Sequence, residues 1–354
     1  MSFRPAPVAT DSASDAPGHT AVLYCNLGTP DAPTAPAVRR YLAEFLSDPR
    51  VVEIPKLAWW PILHGIILRV RPAKSAAKYA SIWTEQGSAL KVWTERQTLD
   101  LRAALAARGQ RVGVHYAMRY GQPGIAAQLD ALADQGTQRV LVLQAYPQYS
   151  GTTTASVLDA VGAWSRRQRR VPEFRFVNDY HVDAGYIAAL ADSVARHWAQ
   201  HGRGELLLMS FHGIPARNIA LGDPYHVQCQ ATARALAQRL GLDTTQYRVT
   251  YQSRFGRAKW LEPYTEPTLR QLAQQGTRRI DVMCPGFPVD CLETLEEINM
   301  EARAAFLESG GEAFSYIPCL NDSAVWTGAL ADLAERHLAG WNTRSTAADQ
   351  LTVS

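Results

Sequence analysis

The apolar and polar positions of this chain alternate between short apolar runs and longer amphipathic stretches. The apolar runs lie near 21–27, 111–117, 139–145, 205–211, 247–251 and 279–284. Stretches rich in Ala and Leu, long enough to form helices, separate them. Apolar runs that alternate with amphipathic helices are typical of parallel βαβ units. The pattern therefore predicts an α/β protein whose parallel sheets are flanked by helices.

Three segments of the first half recur in the same order in the second half. The pairs are 23–30 with 208–215, 114–121 with 249–256, and 132–139 with 272–279. The middle pair shares a V-x-Y-x-x-R-aromatic-G pattern. This repetition predicts two similar Rossmann-like subdomains with a cleft between them. Leu27 in the first copy corresponds to His212 in the second, so a titratable group is present in only one copy.

The repeats divide the chain into four parts. Residues 20–175 are the predicted first subdomain, which includes the segment 56–78, and residues 176–340 are the second, with a closing helix. Residues 1–19 are rich in Pro, Ala, Ser and Asp and lack the apolar centre of a signal peptide, so they predict a flexible tail. Residues 341–354 predict a polar tail.

Composition and charge narrow the classes of function. The chain has 354 residues, of which 47% are hydrophobic, and a formal net charge of +3 at pH 7. Because this charge is small and dispersed, we expect no nucleic-acid partner. The five cysteines are odd in number and include no C-x-x-C pair, which favours free thiols in a reducing cytoplasm.

Residues 56–78 are apolar and contain the adjacent tryptophans Trp59 and Trp60 ahead of several basic residues. Pro61 and Gly65 interrupt the apolar run, which falls short of the ~20 residues that a membrane-spanning helix needs. Two alternatives are open from the residues alone. The segment is either a buried core helix, or an exposed helix that borders a membrane or an apolar ligand.

Sequence motifs for nucleotide binding and for serine hydrolysis are absent. The chain has no G-x-G-x-x-G, no Gly-Lys followed by Ser or Thr, and no G-x-S-x-G. A nucleotide cofactor and an acyl-enzyme mechanism are therefore not predicted.

His212 is the first candidate for chemistry. It follows the apolar run 206–211 and precedes Gly213 and Pro215, which predict a turn at the end of a strand. An imidazole has an unperturbed pKa near ~6.5, so it can accept a proton or bind a divalent metal near neutral pH.

Three carboxylates follow the apolar run at 279–284. Glu293 and Glu297 are four residues apart and would share one face of an α-helix, and Asp290 lies at its predicted first turn. Such a row is often a solvated helix face or a set of acids favoured by the helix dipole. Here it begins at a strand end on the same edge as His212, which also fits a path for metal ions and protons.

Several blocks of sequence together resemble the ferrochelatases, which insert ferrous iron into a porphyrin in the terminal step of haem synthesis. In chain order they are Tyr146-Pro147-Gln148-Tyr149-Ser150, Ser210-Phe211-His212-Gly213-Ile214-Pro215, Gly222-Asp223-Pro224-Tyr225, Tyr251-Gln252-Ser253-Arg254-Phe255-Gly256, Lys259-Trp260-Leu261 and Asp290-x-x-Glu293-Thr294-Leu295. The resemblance runs from about Leu23 to Leu338. It implies a lyase with a chelatase-like fold that acts on protoporphyrin IX and ferrous iron.

The resemblance also implies roles for individual residues. His212 and Glu293 would be the catalytic pair and the metal contacts, on opposite sides of the macrocycle, with Glu297 and Asp290 on a path for protons and metal. The implied porphyrin-binding residues are Leu27, Arg71, Tyr79, Ser88, Arg119, Tyr120, Tyr225, Trp260 and Phe287. Of these, Arg71, Tyr79 and Ser88 match groups that receive the propionates in animal members.

Two departures from the family pattern change the expectations. Gly151 stands where animal members have a cysteine that binds an iron–sulfur cluster, and no cysteine follows Cys319. We therefore expect no such cluster and no permanently bound cofactor, with Fe²⁺ as a substrate. Cys291 replaces a second histidine of the acidic block, which argues against a mechanism that needs two histidines.

Metallation requires a bent ring and an acceptor for two pyrrole protons. The hypothesis is that His212 takes these protons while Glu293 delivers iron; the opposite assignment, with His212 as the first metal ligand, fits the sequence equally. Alternatives are a chelatase that acts on coproporphyrin or inserts cobalt, and a porphyrin carrier without activity. The similarity also implies that 56–78 is a lip over the pocket. We expect a cytoplasmic protein peripheral to the inner face of the cell membrane, supplied by the preceding haem-pathway oxidase.

Overall fold

The strands lie in two parallel sheets, one in each half of the chain. The computed structural model describes Arg4, residues 19–256 and residues 258–344. The strands of the first sheet are β1 (Thr20–Gly28), β2 (Gly113–Tyr120), β3 (Arg139–Gln144) and β4 (Glu173–Val177). The strands of the second sheet are β5 (Leu206–His212), β6 (Tyr247–Gln252), β7 (Arg279–Met283) and β8 (Ala313–Tyr316).

The two sheets have the same topology. The strand order is β2-β1-β3-β4 in the first and β6-β5-β7-β8 in the second, and every pairing between these strands is parallel. Helices connect the strands, as crossovers between parallel strands require. The fold predicted from the apolar runs and the repeats is therefore confirmed.

The helices follow the same chain order. Before β5 they are α1 (Ala35–Leu46), α2 (Lys56–Ile62), α3 (Leu68–Ser81), α4 (Ala89–Ala107), α5 (Ile125–Asp134), α6 (Thr154–Ser165) and α7 (Ala184–His201). After β5 they are α8 (Ala216–Ala220), α9 (Tyr225–Arg239), α10 (Thr265–Gln274), α11 (Arg303–Glu308) and α12 (Ala324–Leu338). Two segments are π-helical: π1 (Leu63–Ile67), between α2 and α3, and π2 (Glu293–Ala302), before α11.

The edge strands β4 and β8 were not predicted. β4 has only five residues, and the charged Glu173 and Arg175 alternate with apolar ones; β8 has four residues. Neither forms a continuous apolar run, because an edge strand is only partly covered. The subdomain boundary placed after residue 175 lies inside β4, which extends to Val177.

The largest hydrophobic cluster is shared by both halves. It includes Tyr24 and Leu143 of the first sheet, Met209 and Phe211 of β5, and Trp326 of α12, all nearly inaccessible to solvent. Helix α12 packs against α7 of its own predicted subdomain and also against α4 and β3 of the first half. The two sheets are therefore joined by a common core.

The predicted tails lie mostly outside the described residues, namely 1–3 and 5–18 of the first and 345–354 of the second. Within them, Arg4 forms an ion pair with Asp134 at 2.7 Å. Trp341 is buried in the shared cluster and Thr343 donates a hydrogen bond to Gln110 at 2.6 Å. The C-terminal tail was therefore predicted to begin too early.

The segment α2–π1–α3 has one buried and one exposed side. Leu63 and Leu68 are buried, whereas Leu57 is 94% exposed and Trp60 is 63% exposed. The core-helix alternative for residues 56–78 is therefore wrong for α2, which has no buried residue. In the part of the chain that the structure describes, no helix combines the length and the apolar character needed to cross a bilayer.

Candidate active site

His212 is the last residue of β5, and its ring is held by its own neighbour. The Nδ1 atom lies 2.6 Å from the carbonyl oxygen of Gly213. A carbonyl only accepts hydrogen bonds, so Nδ1 donates and a neutral imidazole keeps its lone pair on Nε2. A Cβ atom at Gly213 would lie 2.7 Å from the carbonyl oxygen of Gln252, which explains the glycine. His212 thus presents a proton acceptor at the carboxyl end of the sheet.

Two aromatic rings flank this imidazole. The ring centroids of Trp260 and Phe287 each lie 6.4 Å from that of His212. Both were predicted porphyrin contacts. The indole Nε1 of Trp260 is buried and has no hydrogen-bond partner among the described residues. Tyr225, a third predicted wall residue, lies instead in the shared hydrophobic cluster with Phe211.

Glu293 faces a recess whose other wall comes from the first half of the chain. The recess is lined by Leu27, Gly28, Thr29, Tyr41, Tyr79, Ser88, Leu90, Cys291, Leu292 and Glu293. Leu27 is the penultimate residue of β1, the strand that duplicates β5, and Tyr79 and Ser88 were predicted to bind propionates. The structure therefore brings predicted porphyrin contacts of the first half next to the predicted catalytic acid of the second.

Phenol groups surround Glu293. Burial raises the pKa of Tyr41 and of Tyr79 well above the usual value; the next contributions come from Tyr79 and then Glu293 for Tyr41, and from Glu293 for Tyr79. Burial first, with smaller effects from neighbours that include Glu293, does the same to Tyr146. The Tyr146 hydroxyl is buried without a hydrogen-bond partner among the described residues. Burial keeps these phenols neutral, and the Tyr41 hydroxyl donates to the carbonyl oxygen of Gly28 at 3.2 Å.

Glu297 is held by the residue that follows β6. The backbone N–H of Ser253 donates to Oε1 at 2.6 Å, and the Ser253 hydroxyl donates to Oε2 at 2.5 Å. Ser253 has φ +66°, a left-handed conformation that turns both donors toward the carboxylate. Burial raises the pKa of Glu297 above its usual value, although Ser253 and then His212 oppose the shift. Glu297 therefore takes up a proton at a higher pH than an exposed glutamate does.

The helix that carries these acids is π-helical, not α-helical as predicted. In a π-helix the hydrogen bonds run from i to i+5, so residues five apart lie one above the other. Glu296 and Glu301 show this spacing, because the ammonium of Lys78 contacts Glu296 at 3.0 Å and Glu301 at 2.8 Å. Lys78 thereby ties α3 to π2. π-helical segments occur frequently at functional sites.

Arg119 and Tyr120 form a buried network that the sequence did not reveal. Arg119 Nη2 donates to Asp48 Oδ2 at 2.5 Å, and the Tyr120 hydroxyl donates to the same oxygen at 2.8 Å. Ser156 donates to it as well, at 2.6 Å. Asp48 balances the charge of Arg119, a predicted porphyrin contact, and fixes its position. No motif contains Asp48, which lies 71 residues before Arg119.

Arg71, the third predicted propionate ligand, lies over the ring of Phe255 with 4.4 Å between the guanidinium carbon and the ring centroid. Phe255 belongs to the second half, so this contact joins α3 to the opposite side of the cleft. Burial lowers the pKa of Arg71, and the group remains a cation at neutral pH.

Asp290 differs from the other acids of the site in its surroundings. It is buried, and its carboxylate accepts from Thr294, Tyr316 and Asn321 at 2.5 to 3.0 Å. Among the described residues, no three His, Cys, Asp or Glu side chains are placed to hold a metal ion together.

Comparisons with known proteins concern the family and the fold of the chain. The sequence model of the family described as Ferrochelatase matches residues 19–338. A protein named Ferrochelatase from a Polaromonas species is 64% identical over 346 residues, covering 98% of this chain and 94% of that protein. A protein of the same name from Methylibium petroleiphilum is 66% identical over 325 residues, covering 92% of this chain and 90% of that protein. The solved structure of SirB from Bacillus subtilis with Fe³⁺ is similar in fold, with a TM-score of 0.53 and 11% identity over 92% of this chain and 99% of that chain.

Proposed function

Because the chain belongs to the ferrochelatase family, we propose that it inserts Fe²⁺ into protoporphyrin IX, releases two protons and so completes haem synthesis. The observation that carries the proposal is the placement of a free imidazole nitrogen next to the segment that holds the acids: His212 pairs with Gln252, whose Nε2 donates to the backbone oxygen of Glu293 at 2.8 Å. His212 Nε2 has a lone pair, and among the smaller effects on the pKa of Glu297, His212 lowers it and Glu293 raises it. A carrier of porphyrin would need the recess but neither group.

The macrocycle is bound between the wall that includes Leu27 and Tyr79 and the side that carries His212. Contacts with these walls supply the binding energy that holds the ring bent and exposes its nitrogen lone pairs. His212 Nε2 then accepts a pyrrole proton, and Glu293 brings the iron and exchanges its water ligands. Glu297, with its raised pKa, receives the released protons. In the alternative order His212 contacts the iron first.

The choice of porphyrin is tested by anaerobic metallation. We expect the purified protein to insert Fe²⁺ into protoporphyrin IX and to metallate coproporphyrin much more slowly. The loss of the free-base absorbance bands measures both rates. Turnover of coproporphyrin alone would place the enzyme in a different branch of haem synthesis. Binding of both porphyrins without metallation by either would favour the carrier.

The surface formed by α2, π1 and α3 supports a peripheral membrane role, with access for an apolar substrate. Its exposed apolar side chains are Leu57, Trp60, Ile62, Ile66 and Val70, and the exposed Lys56, Arg69 and Lys74 lie among them. Leu63 and Leu68, on the buried side, share a cluster with Leu27 and Tyr79, so this surface borders the recess. Apolar side chains mixed with cations suit an anionic lipid surface.

Replacing Leu57 and Trp60 with serine is expected to weaken binding to anionic vesicles by about tenfold per residue, because each side chain loses apolar contact with lipid. Cosedimentation with vesicles that contain phosphatidylserine measures the effect. Leu99→Ser is the matched control, since Leu99 is 51% exposed on α4. Wild-type protein that never sediments with such vesicles would contradict the membrane role.

We propose further that the protein works on the cytoplasmic face of the cell membrane and receives its porphyrin from the preceding haem-pathway oxidase. No permanently bound cofactor and no iron–sulfur cluster enter this proposal. Gly151 stands at the place of the cluster cysteine of animal members, and its N–H donates to Asp223 at 2.7 Å.

A further inference from the structure

Neutral donors contact both oxygens of the buried Asp290 carboxylate. Its Oδ1 accepts from the Tyr316 hydroxyl at 2.5 Å and the Thr294 hydroxyl at 3.0 Å, and its Oδ2 accepts from Asn321 Nδ2 at 2.7 Å. The backbone N–H of Asp290 donates to Asn321 Oδ1 at 2.9 Å. A carboxylate has about four acceptor positions, and these contacts fill three of those of Asp290. Because Asp290 is only 5% exposed, the position that is left has little access to an incoming proton or metal ion.

The same contacts fix the start of π2. Thr294 lies in the first turn, next to Glu293, and its hydroxyl both donates to Asp290 and accepts from the backbone N–H of Cys291 at 3.0 Å. The carboxylate of Asp290 therefore holds the residue adjacent to Glu293. A shift of Asp290 would move the backbone that sets the direction of the Glu293 side chain.

The network continues into the first half of the molecule through Gln97 of α4. Gln97 Nε2 donates to the carbonyl oxygen of Asn321 at 2.7 Å and to that of Pro288 at 3.1 Å, and Gln97 Oε1 accepts from the Tyr24 hydroxyl of β1 at 2.8 Å. Gln97 is 1% exposed. Asn321 has φ +43°, which asparagine tolerates better than most residues. Hydrogen bonds thus run without a break from the first sheet to the first turn of π2.

We propose that Asp290 and Gln97 are positioning residues that set Glu293 against the first-half wall of the cleft. Asp290 does not carry protons or iron, which differs from the path role that the family resemblance implies. The assignment rests on the proposed function only through its effect on turnover. It deepens that function by naming what holds the acid in place across the cleft.

The test compares Asp290→Asn, Gln97→Met and the double variant. Asparagine at 290 turns an N–H₂ group toward donors, and methionine at 97 keeps the length of the side chain without hydrogen bonds. Each single variant is expected to lower kcat for metallation between about ten- and a hundredfold, since a small misplacement of a reacting group costs that much. The pH of half-maximal kcat stays that of wild type. The double variant falls by less than the product of the single effects, because both act on one network.

Gln97 has no titratable proton, so it separates the two roles of Asp290. If Asp290→Asn lowers kcat or moves the pH profile while Gln97→Met keeps the wild-type kcat, Asp290 is a carrier and the inference is wrong. Wild-type kcat in both variants also overturns it. Tyr251→Phe is the control for the loss of a hydrogen bond elsewhere. In the wild type, the Tyr251 hydroxyl forms a hydrogen bond with His226 Nδ1 at 2.8 Å.

A readout without turnover keeps the inference testable if the proposed function fails. Amide hydrogen exchange of peptides that cover residues 291–302 is expected to rise in both single variants and to stay unchanged in Tyr251→Phe. Unchanged exchange in Asp290→Asn and Gln97→Met would show that the network does not hold π2. Wild-type protein without metallation activity would instead contradict the proposed function alone.

Discussion

Glu293→Gln is expected to bind protoporphyrin as wild type does and to lose metallation by at least about a hundredfold. The amide has the size of the carboxylate, so the recess beside Leu27 and Tyr79 keeps its shape. An amide does not take up a proton near neutral pH, and it binds Fe²⁺ more weakly than a carboxylate because it has no negative charge. Anaerobic absorbance traces give the rate, and quenching of protein fluorescence by the porphyrin gives the affinity.

Glu308→Gln is the matched control for this substitution. Glu308 ends α11, its side chain is 68% exposed, and its nearest cation is Arg270 at 3.7 Å. It should retain the wild-type rate. If Glu293→Gln also metallates at nearly the wild-type rate, Glu293 neither delivers iron nor exchanges its ligands. Loss of porphyrin binding in Glu293→Gln would make the residue part of the binding wall instead.

His212→Ala is expected to reduce turnover between about a hundred- and ten-thousandfold, the range typical of a lost general base. Porphyrin affinity should change little, because Trp260 and Phe287 remain as walls beside the ring. Little loss of turnover with unchanged affinity would contradict both assignments of His212, as base and as metal ligand. His201→Ala, on the exposed end of α7, is the control.

His212→Ala also distinguishes the two assignments of His212, as proton acceptor and as first ligand of iron. If His212 accepts pyrrole protons, added imidazole restores part of the turnover, and the iron concentration at half-maximal rate stays unchanged. If His212 is the first ligand of iron, that concentration rises in the variant.

The sequence was sufficient for the fold, because apolar runs and repeated segments are local signals. It missed β4 and β8, whose short, half-covered strands have no such run. It also gave the wrong type of helix for π2. Glu293 and Glu297 fit an α-helical spacing, and the i to i+5 pairing became visible only through Lys78, which lies on a different helix.

The candidate site was predicted in its residues but not in its contacts. The motifs and the family resemblance pointed to His212, Glu293 and Glu297, whereas Asp48 and Gln97 belong to no motif and act over long distances in the chain. Ser253 lies within a quoted block, yet its role depends on a left-handed backbone that brings both of its donors to Glu297. Side-chain contacts of this kind are set by tertiary packing, which one sequence does not display.

The hydrophobic cluster shared by the two sheets has a mechanical consequence. A cleft between separate domains can close by a hinge, but rotation here would have to break contacts among Tyr24, Met209, Phe211 and Trp326. The shared cluster therefore resists rotation of one sheet against the other. For the proposed binding of a bent macrocycle, a core that resists rotation means that the ring, and not the rear of the cleft, is the part that changes shape.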